Sequence, residues 1–290
     1  MSDQPENPAR APGQTSKRGL SLPKLTGWGG LAFLGGFIGL QVPPLWNEWS
    51  ALRREQLRAE ATTVIGFVDV HPIPNAAEKP QPYFRHEGDE LLVWAGWSDE
   101  AKTHNWFHVH ARDFDESKLT LVYARGVVRA IDQTVLERKG ETRWERLPPS
   151  AVVYPMAREG VSIAYPQRLM ELVEVVNDTI AERRFLVVQT PFLPAEEAVR
   201  VFDPVVAGET LFFRPTGYFL NDKPILYDTA SESFWQSAQQ ELKAIAGVKK
   251  GSRLPLVTRL EPKRWDDWSG KNPEGLLVVG ADRREAKTTE

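Results

Sequence analysis

Between Lys24 and Glu48 the chain carries no charged residue, and the middle of that stretch reads LAFLGGFIGL. A bilayer is crossed by about 20 apolar residues, so this segment is long enough to span one. Trp28 and Trp46 lie 18 positions apart near its two ends. At about 1.5 Å per residue that is roughly 27 Å, which lets each indole sit at an interface. Pro43 and Pro44 then stop the helix, having no N–H to donate. The pattern predicts a transmembrane anchor over 25–46, preceded by a disordered tail over 1–24.

Gly27, Gly29, Gly30, Gly35, Gly36 and Gly39 lower the helix propensity of this segment, making its insertion adequate rather than strong. Gly35 and Gly39 also form a small-xxx-small pair, the spacing that lets another transmembrane helix approach closely. The plainer account is that glycine is common in membrane helices. A cleaved signal peptide is disfavoured because no A-x-A site follows at a suitable distance, and a buried soluble helix is the remaining alternative. Four basic residues (Arg10, Lys17, Arg18, Lys24) precede the segment and three (Arg53, Arg54, Arg58) follow it. That bias favours an inside N-terminus, hence a single-pass protein of the inner (plasma) membrane with an extracytoplasmic C-terminal domain.

The chain has 290 residues, a formal charge of -3 and no cysteine. Near-neutrality gives no reason to expect nucleic acid as a partner. Without thiols there is no disulfide, no Cys-ligated metal and no thiol catalysis. Residues 47–63 read as a juxtamembrane helix, 64–280 as a globular domain and 281–290 as a disordered tail. The domain carries short runs rich in Val, Ile, Tyr, Phe and Trp: VIGFVDV from 64, LLVWAG from 91, NWFHVHA from 105, LTLVY from 119, VSIAY from 161, FLVVQ from 185, TLFFR from 210, PILYD from 224 and GLLVV from 275. These predict strands. Helices are expected in PQRLMELVEVVN from Pro166 and in SESFWQSAQQELKAIAG from Ser231, where apolar residues recur at helical spacing. The fold class expected is α+β: a β-rich soluble domain with few helices, not a doubly wound parallel sheet.

Candidate chemistry is sparse. In HNWFHVH, His108 and His110 point to one face of a strand and His104 precedes them, a weak divalent-metal pattern that solvent-facing histidines explain equally well. Asn177, Asp178 and Asp228, with Tyr165 and Tyr227, are the candidates for a polar or acid–base site. The competing reading makes Asn177-Asp178 a helix end and Tyr227-Asp228 a strand end. Ser231 and Ser233 lack a G-x-S-x-G setting, and no histidine follows residue 110. Neither phosphate-loop pattern occurs, and no cofactor is expected. Ten tryptophans suit either a core or a sugar-binding surface.

Several blocks occur together in order: Ala164-Tyr165-Pro166; Glu174-Val175-Val176-Asn177-Asp178; Tyr227-Asp228 with Ser231, Ser233 and Trp235; Ala244 to Gly247; and Trp265, Trp268 and Pro273. Over residues 123–279 the chain thereby resembles an uncharacterised bacterial and archaeal family, domain of unknown function three-one-seven-nine. The resemblance implies a CPLC motif after the strand that follows EVVND. Here that stretch is Thr190-Pro191-Phe192-Leu193, and Val173 stands where the family often has a histidine. Cysteine chemistry at that place is therefore closed to this chain. The expectation is a membrane-tethered, non-catalytic accessory or binding protein of the cell envelope, a subunit of a membrane complex with a protein partner. The alternatives are an extracytoplasmic, hydrolase-like enzyme or a metal- or carbohydrate-binding module.

Overall fold

The computed structural model describes residues 83–281, apart from 99, 100, 102, 123, 124, 126, 127, 191, 192 and 239. Compactness divides the chain into Met1–Trp46 and Asn47–Glu290, and the described residues all belong to the second unit. The anchor at 25–46, the helix at 47–63, the strand from 64 and the C-terminal tail beyond 281 lie outside the described residues. Among the described residues no helix is long and apolar enough to cross a membrane.

The first strands are β1 (Phe84–Glu87), β2 (Glu90–Ser98), β3 (Thr103–His110), β4 (Leu119–Leu121) and β5 (Thr134–Glu137). They are followed by β6 (Val152–Arg158), β7 (Val161–Pro166), β8 (Val175–Ile180), β9 (Arg183–Gln189) and β10 (Val199–Phe202). Next come β11 (Val205–Val206), β12 (Glu209–Thr210), β13 (Phe213–Leu220), β14 (Lys223–Asp228) and β15 (Phe234–Ser237). The last are β16 (Glu241–Ala246), β17 (Arg253–Arg259), β18 (Lys263–Arg264) and β19 (Leu276–Ala281). The α-helices described are short: Thr142–Arg146, Gln167–Val173, Ala195–Ala198 and Trp265–Lys271. The domain is β-rich with few helices.

The largest sheet runs in the order β4-β13-β14-β15-β16-β17-β10-β9-β8. It curls until β8 lies against β13, where no ladder forms. The Asn177 side chain closes that seam. Its Oδ1 accepts from the Phe213 amide at 2.9 Å, and its Nδ2 donates to the Phe213 carbonyl at 3.1 Å. The interior of this barrel-like roll is apolar, filled by Val175, Leu186, Val188, Phe202, Phe213, Leu226, Trp235, Leu242, Ala244 and Leu254. Every strand from β13 round to β8 contributes to it, as the period-2 alternation of a strand requires.

Two further sheets cover the outside of the roll. The β1-β2-β3 sheet packs Leu91, Val93, Phe107 and Val109 against Tyr218, Ile225, Tyr227 and Phe234. The β18-β6-β7-β19-β5 sheet packs Tyr154, Ile163, Tyr165 and Val278 against Val176, Phe185, Val187, Val199 and Val201 on the opposite flank. The far face of that five-stranded sheet is sealed by helices Thr142–Arg146 and Trp265–Lys271, whose Trp144, Trp265 and Trp268 join Val153, Ala164, Leu277 and Val279. Among the described residues the strand pairs are antiparallel except β7 with β19, and Ile131 adds an isolated parallel bridge to Val176 of β8.

Two expected helices take another form. The helix from residue 166 ends at Val173, because Glu174 adopts a left-handed conformation with φ 59°. Residues 175–180 then continue as β8, paired residue by residue with β9. The β-branched pair Val175-Val176 suits a pleated surface better than a helix. Asn177 and Asp178 are therefore mid-strand, not a helix end. The segment from Ser231 is the hairpin β15–β16, turned by an Ala238 N–H donating to the Glu241 carbonyl at 2.8 Å. Adjacent Phe234 and Trp235 are both fully buried, one outside the roll and one inside it. Opposite burial of neighbours belongs to a strand. TLFFR divides as well, between β12 and β13.

Candidate functional site

The alternation that builds the roll also disperses the candidate polar residues. Asp178 points outward from β8, towards β7. Its Oδ2 accepts from the Tyr165 hydroxyl at 2.6 Å, and its Oδ1 accepts from Thr134 Oγ1 and the Thr179 amide, both at 2.8 Å. Asp178 is 2% exposed and Tyr165 0%. Burial, then the Asp178 charge and the bond to it, hold the Tyr165 phenol well above its usual range.

Asn177 faces the other way, into the seam. Besides the Phe213 backbone it donates to Asp132 Oδ1 at 2.8 Å. Asp132 is clasped by both terminal nitrogens of Arg214, a bidentate pair at the partly exposed rim.

Asp228 and Tyr227, being neighbours on β14, also separate. Asp228 is 0% exposed and closes the β14–β15 turn. Its oxygens accept from the Ser231 amide at 2.7 Å, from Ser231 Oγ at 2.8 and 2.9 Å, and from Trp235 Nε1 at 2.9 Å. Ser231 Oγ lies 2.8 Å from Ser233 Oγ, which in turn accepts from the Lys249 amide at 3.0 Å. Tyr227 faces the three-stranded sheet. Its hydroxyl accepts from Arg125 Nε at 2.9 Å, and Arg125 also stacks over the Tyr227 and Phe107 rings and pairs with Glu232 at 2.6 Å. Burial pushes this phenol up, and the Arg125 charge opposes that shift.

The structure thus brings Tyr165 and Asp178 together, but not the five candidates. They occupy three compartments: outside β8, inside the roll and seam, and beneath the three-stranded sheet. Their partners Arg125, Asp132, Thr134, Arg214 and Glu232 have no sequence signal of their own: Arg125, Asp132 and Glu232 are isolated charges between strands, and Thr134 and Arg214 sit at or near the starts of β5 and β13.

The histidines do not assemble either. His104 Nδ1 accepts from the Trp94 indole at 3.1 Å, whereas the exposed His108 pairs with Glu90 at 3.1 Å. His110 is exposed at the end of β3. Among the described residues no group of three His, Asp or Glu is placed to hold a metal. Trp94, Trp144, Trp235, Trp265 and Trp268 are all core, the last three-indole group of the helices having Trp144 and Trp265 centroids 4.6 Å apart. Trp106 is half-buried beneath the Arg85 guanidinium, 4.6 Å away.

Four buried polar atoms have no partner among the described residues: Tyr154 Oη, Gln189 Oε1, Thr190 Oγ1 and Arg200 Nε. A lone arginine in the apolar run AVRVF was the available sequence signal for the last. Of the Thr190–Leu193 stretch, Thr190 is buried with its amide on the Ala198 carbonyl at 2.8 Å, and Leu193 is exposed. Pro191 and Phe192 lie outside the described residues.

Against known proteins, the family model described as "Protein of unknown function (DUF3179)" matches residues 126–289. The chain belongs to this family. No curated protein and no solved structure matches it significantly. The family blocks noted in the sequence have physical roles here. The AYP and EVVND blocks meet in the Tyr165–Asp178 bond. The Tyr-Asp-x-x-Ser-x-Ser-x-Trp block is the self-bonded turn around Asp228. The A-I-x-G block supplies Gly247, where a Cβ would fall 2.8 Å from Ser233 Cα. The W-x-x-W block supplies the indole cover of the five-stranded sheet.

Proposed function

We propose that this chain is a membrane-tethered, non-catalytic binding or accessory protein of the cell envelope, anchored by residues 25–46. The observation that carries this reading is the use made of the candidate carboxylates. Acid–base work on a substrate needs a carboxyl group open to it. Asp178 and Asp228 are 2% and 0% exposed, and both oxygens of each accept hydrogen bonds from the protein itself. The oxygens of both carboxylates are taken up by neighbouring side chains and amides, so the pair supports a scaffold more readily than a hydrolase. The uncharged segment with Gly35 and Gly39 supports tethering beside another transmembrane helix.

Purification of the full chain from detergent-solubilised membranes tests this. A partner retained in fixed stoichiometry by the native chain, and lost from a Gly35→Leu, Gly39→Leu variant, is expected. A native chain that runs alone, or turnover of a substrate abolished by Asp178→Asn, would contradict it.

A further inference from the structure

The three-stranded sheet ends on β3, which has β2 on one side and no strand on the other among the described residues. Hydrogen-bond direction tells which of its backbone groups face that open side. The Trp94 N–H donates to the Tyr83 carbonyl at 2.8 Å, so the Trp94 backbone faces β1 and that of its neighbour Val93 faces β3. Val93 opposes Phe107, Leu91 opposes Val109, and the Ala111 N–H donates to the Asp89 carbonyl at 3.0 Å. Phe107, Val109 and Ala111 are therefore the residues bonded towards β2. Main-chain direction alternates along a strand of an antiparallel pair. Trp106, His108 and His110 are thus left with their N–H and C=O groups on the open edge.

Sheet edges in folded proteins are ordinarily short, covered, or marked by Lys, Pro or a charge. The other edges among the described residues follow that rule. β1 and β5 have four residues each, β4 three, and β11, β12 and β18 two each. The Ile131 backbone bonds to Val175 and Asn177 on the side of β8 away from β9. By contrast β3 has eight residues, and THNWFHVH contains no Lys, Pro, Asp or Glu. Its Phe107 and Val109 are buried against the roll, which fixes the facing of the strand. Trp106, His108 and His110 share the opposite face, with Trp106 half-buried under Arg85 and both histidines exposed.

We propose that β3 pairs antiparallel with β3 of a second copy of this chain, across a two-fold axis at His108, joining the two three-stranded sheets into one. A row of open N–H and C=O groups is the complement of another extended backbone. Centred on His108, the open residues pair among themselves: His108 opposite His108, and Trp106 opposite His110 on either side. Each of these pairs exchanges both of its hydrogen bonds, so every outward group of the two edges is met. The same register sets Phe107 opposite Val109 at the positions between, an aromatic and β-branched pair of the kind that stabilises strand pairing. Each His108 has Glu90 of its own sheet at 3.1 Å, so the two histidines meet with a carboxylate beside each. An edge complementary to itself under a two-fold rotation favours a second copy over an unrelated strand. The contact makes no use of residues 25–46 and is independent of the partner sought above.

Sedimentation of the full chain in detergent tests this, on a Gly35→Leu, Gly39→Leu background so that a contact between membrane segments does not register. A dimer is expected, with the amides of Trp106, His108 and His110 protected from exchange. His108→Pro removes the central outward N–H, at a position where an edge strand accepts proline, and should leave a folded monomer. His108→Lys and His108→Glu should each weaken the dimer about fivefold by setting like charges opposite, and an equal mixture of the two should restore it. A monomer at all concentrations, a dimer that survives His108→Pro, or a mixture no tighter than its components would overturn the proposal. Protected edge amides in a monomer would end it too, by assigning the edge to another segment of this chain.

Discussion

Two buried tyrosines of one core place opposite demands on their hydroxyls. Tyr165 donates to Asp178, whereas the hydroxyl of Tyr154, its direct cross-strand neighbour, has no partner among the described residues. Tyr165→Phe should therefore cost about 2 kcal/mol in urea unfolding, because Asp178 is left with an unmet charge in the core. Tyr154→Phe should be neutral or slightly stabilising in the same measurement. The Tyr154 phenol is pushed up to about 12, first by burial and then by Glu171 and Glu196. The unfolded chain releases that proton near pH 10. This contribution to stability is thus whole below about pH 10 and is lost as the pH climbs through the folded value. Tyr165 adds in the same direction. Stability measured from about pH 8 upward should hold level and then fall beyond about pH 10, less steeply in Tyr154→Phe. Gly247 has φ +87° and no room for a Cβ beside Ser233, so Gly247→Ala should cost on the order of 2 kcal/mol. Calorimetry of that variant checks it.

At the scale of elements, the seam between β8 and β13 has no ladder: Ile131 takes the backbone edge of β8, and the Asn177 side chain and the Asp132–Arg214 pair reach across to β13. Asn177→Ala should leave the Phe213 N–H without its partner, while the Phe213 carbonyl keeps Arg214 Nη1 at 3.0 Å, and free the Phe213 amide to exchange with solvent at least about tenfold faster. Unchanged protection would mean that the seam is held by packing alone. Strands β2, β3, β4, β7, β9, β13, β14 and β19 were legible in the sequence because β-branched and aromatic runs of four to eight residues have few other uses, whereas β5, β6, β10 and β17 were not. EVVND and SFWQSAQQELKAIA have helical spacing and yet are strands. Their residues at three- and four-residue spacing were apolar, and both faces of Val175–Asp178 and of the Phe234–Trp235 pair are buried, so periodicity could not distinguish helix from strand there. The residues Tyr165, Asn177, Asp178, Tyr227 and Asp228 were legible as important polar positions. Their distribution over opposite faces followed from the strand assignment that the helix reading of Asn177 and Asp178 had displaced.

In the molecule as a whole, the domain is a roll flanked by two sheets, with tryptophan-bearing helices on one flank. A body of this kind has its own core. On the proposed reading, the uncharged stretch at 25–46 would serve address and assembly while the domain folds by itself. The most direct test of a tethered, self-sufficient domain is fractionation of cells expressing the full chain beside a chain lacking residues 1–46. The account predicts that the full chain stays with membranes through a high-salt wash and leaves only in detergent. The shortened chain should be recovered in the soluble fraction and unfold cooperatively. A full chain released by salt, or a shortened chain that aggregates, would contradict it.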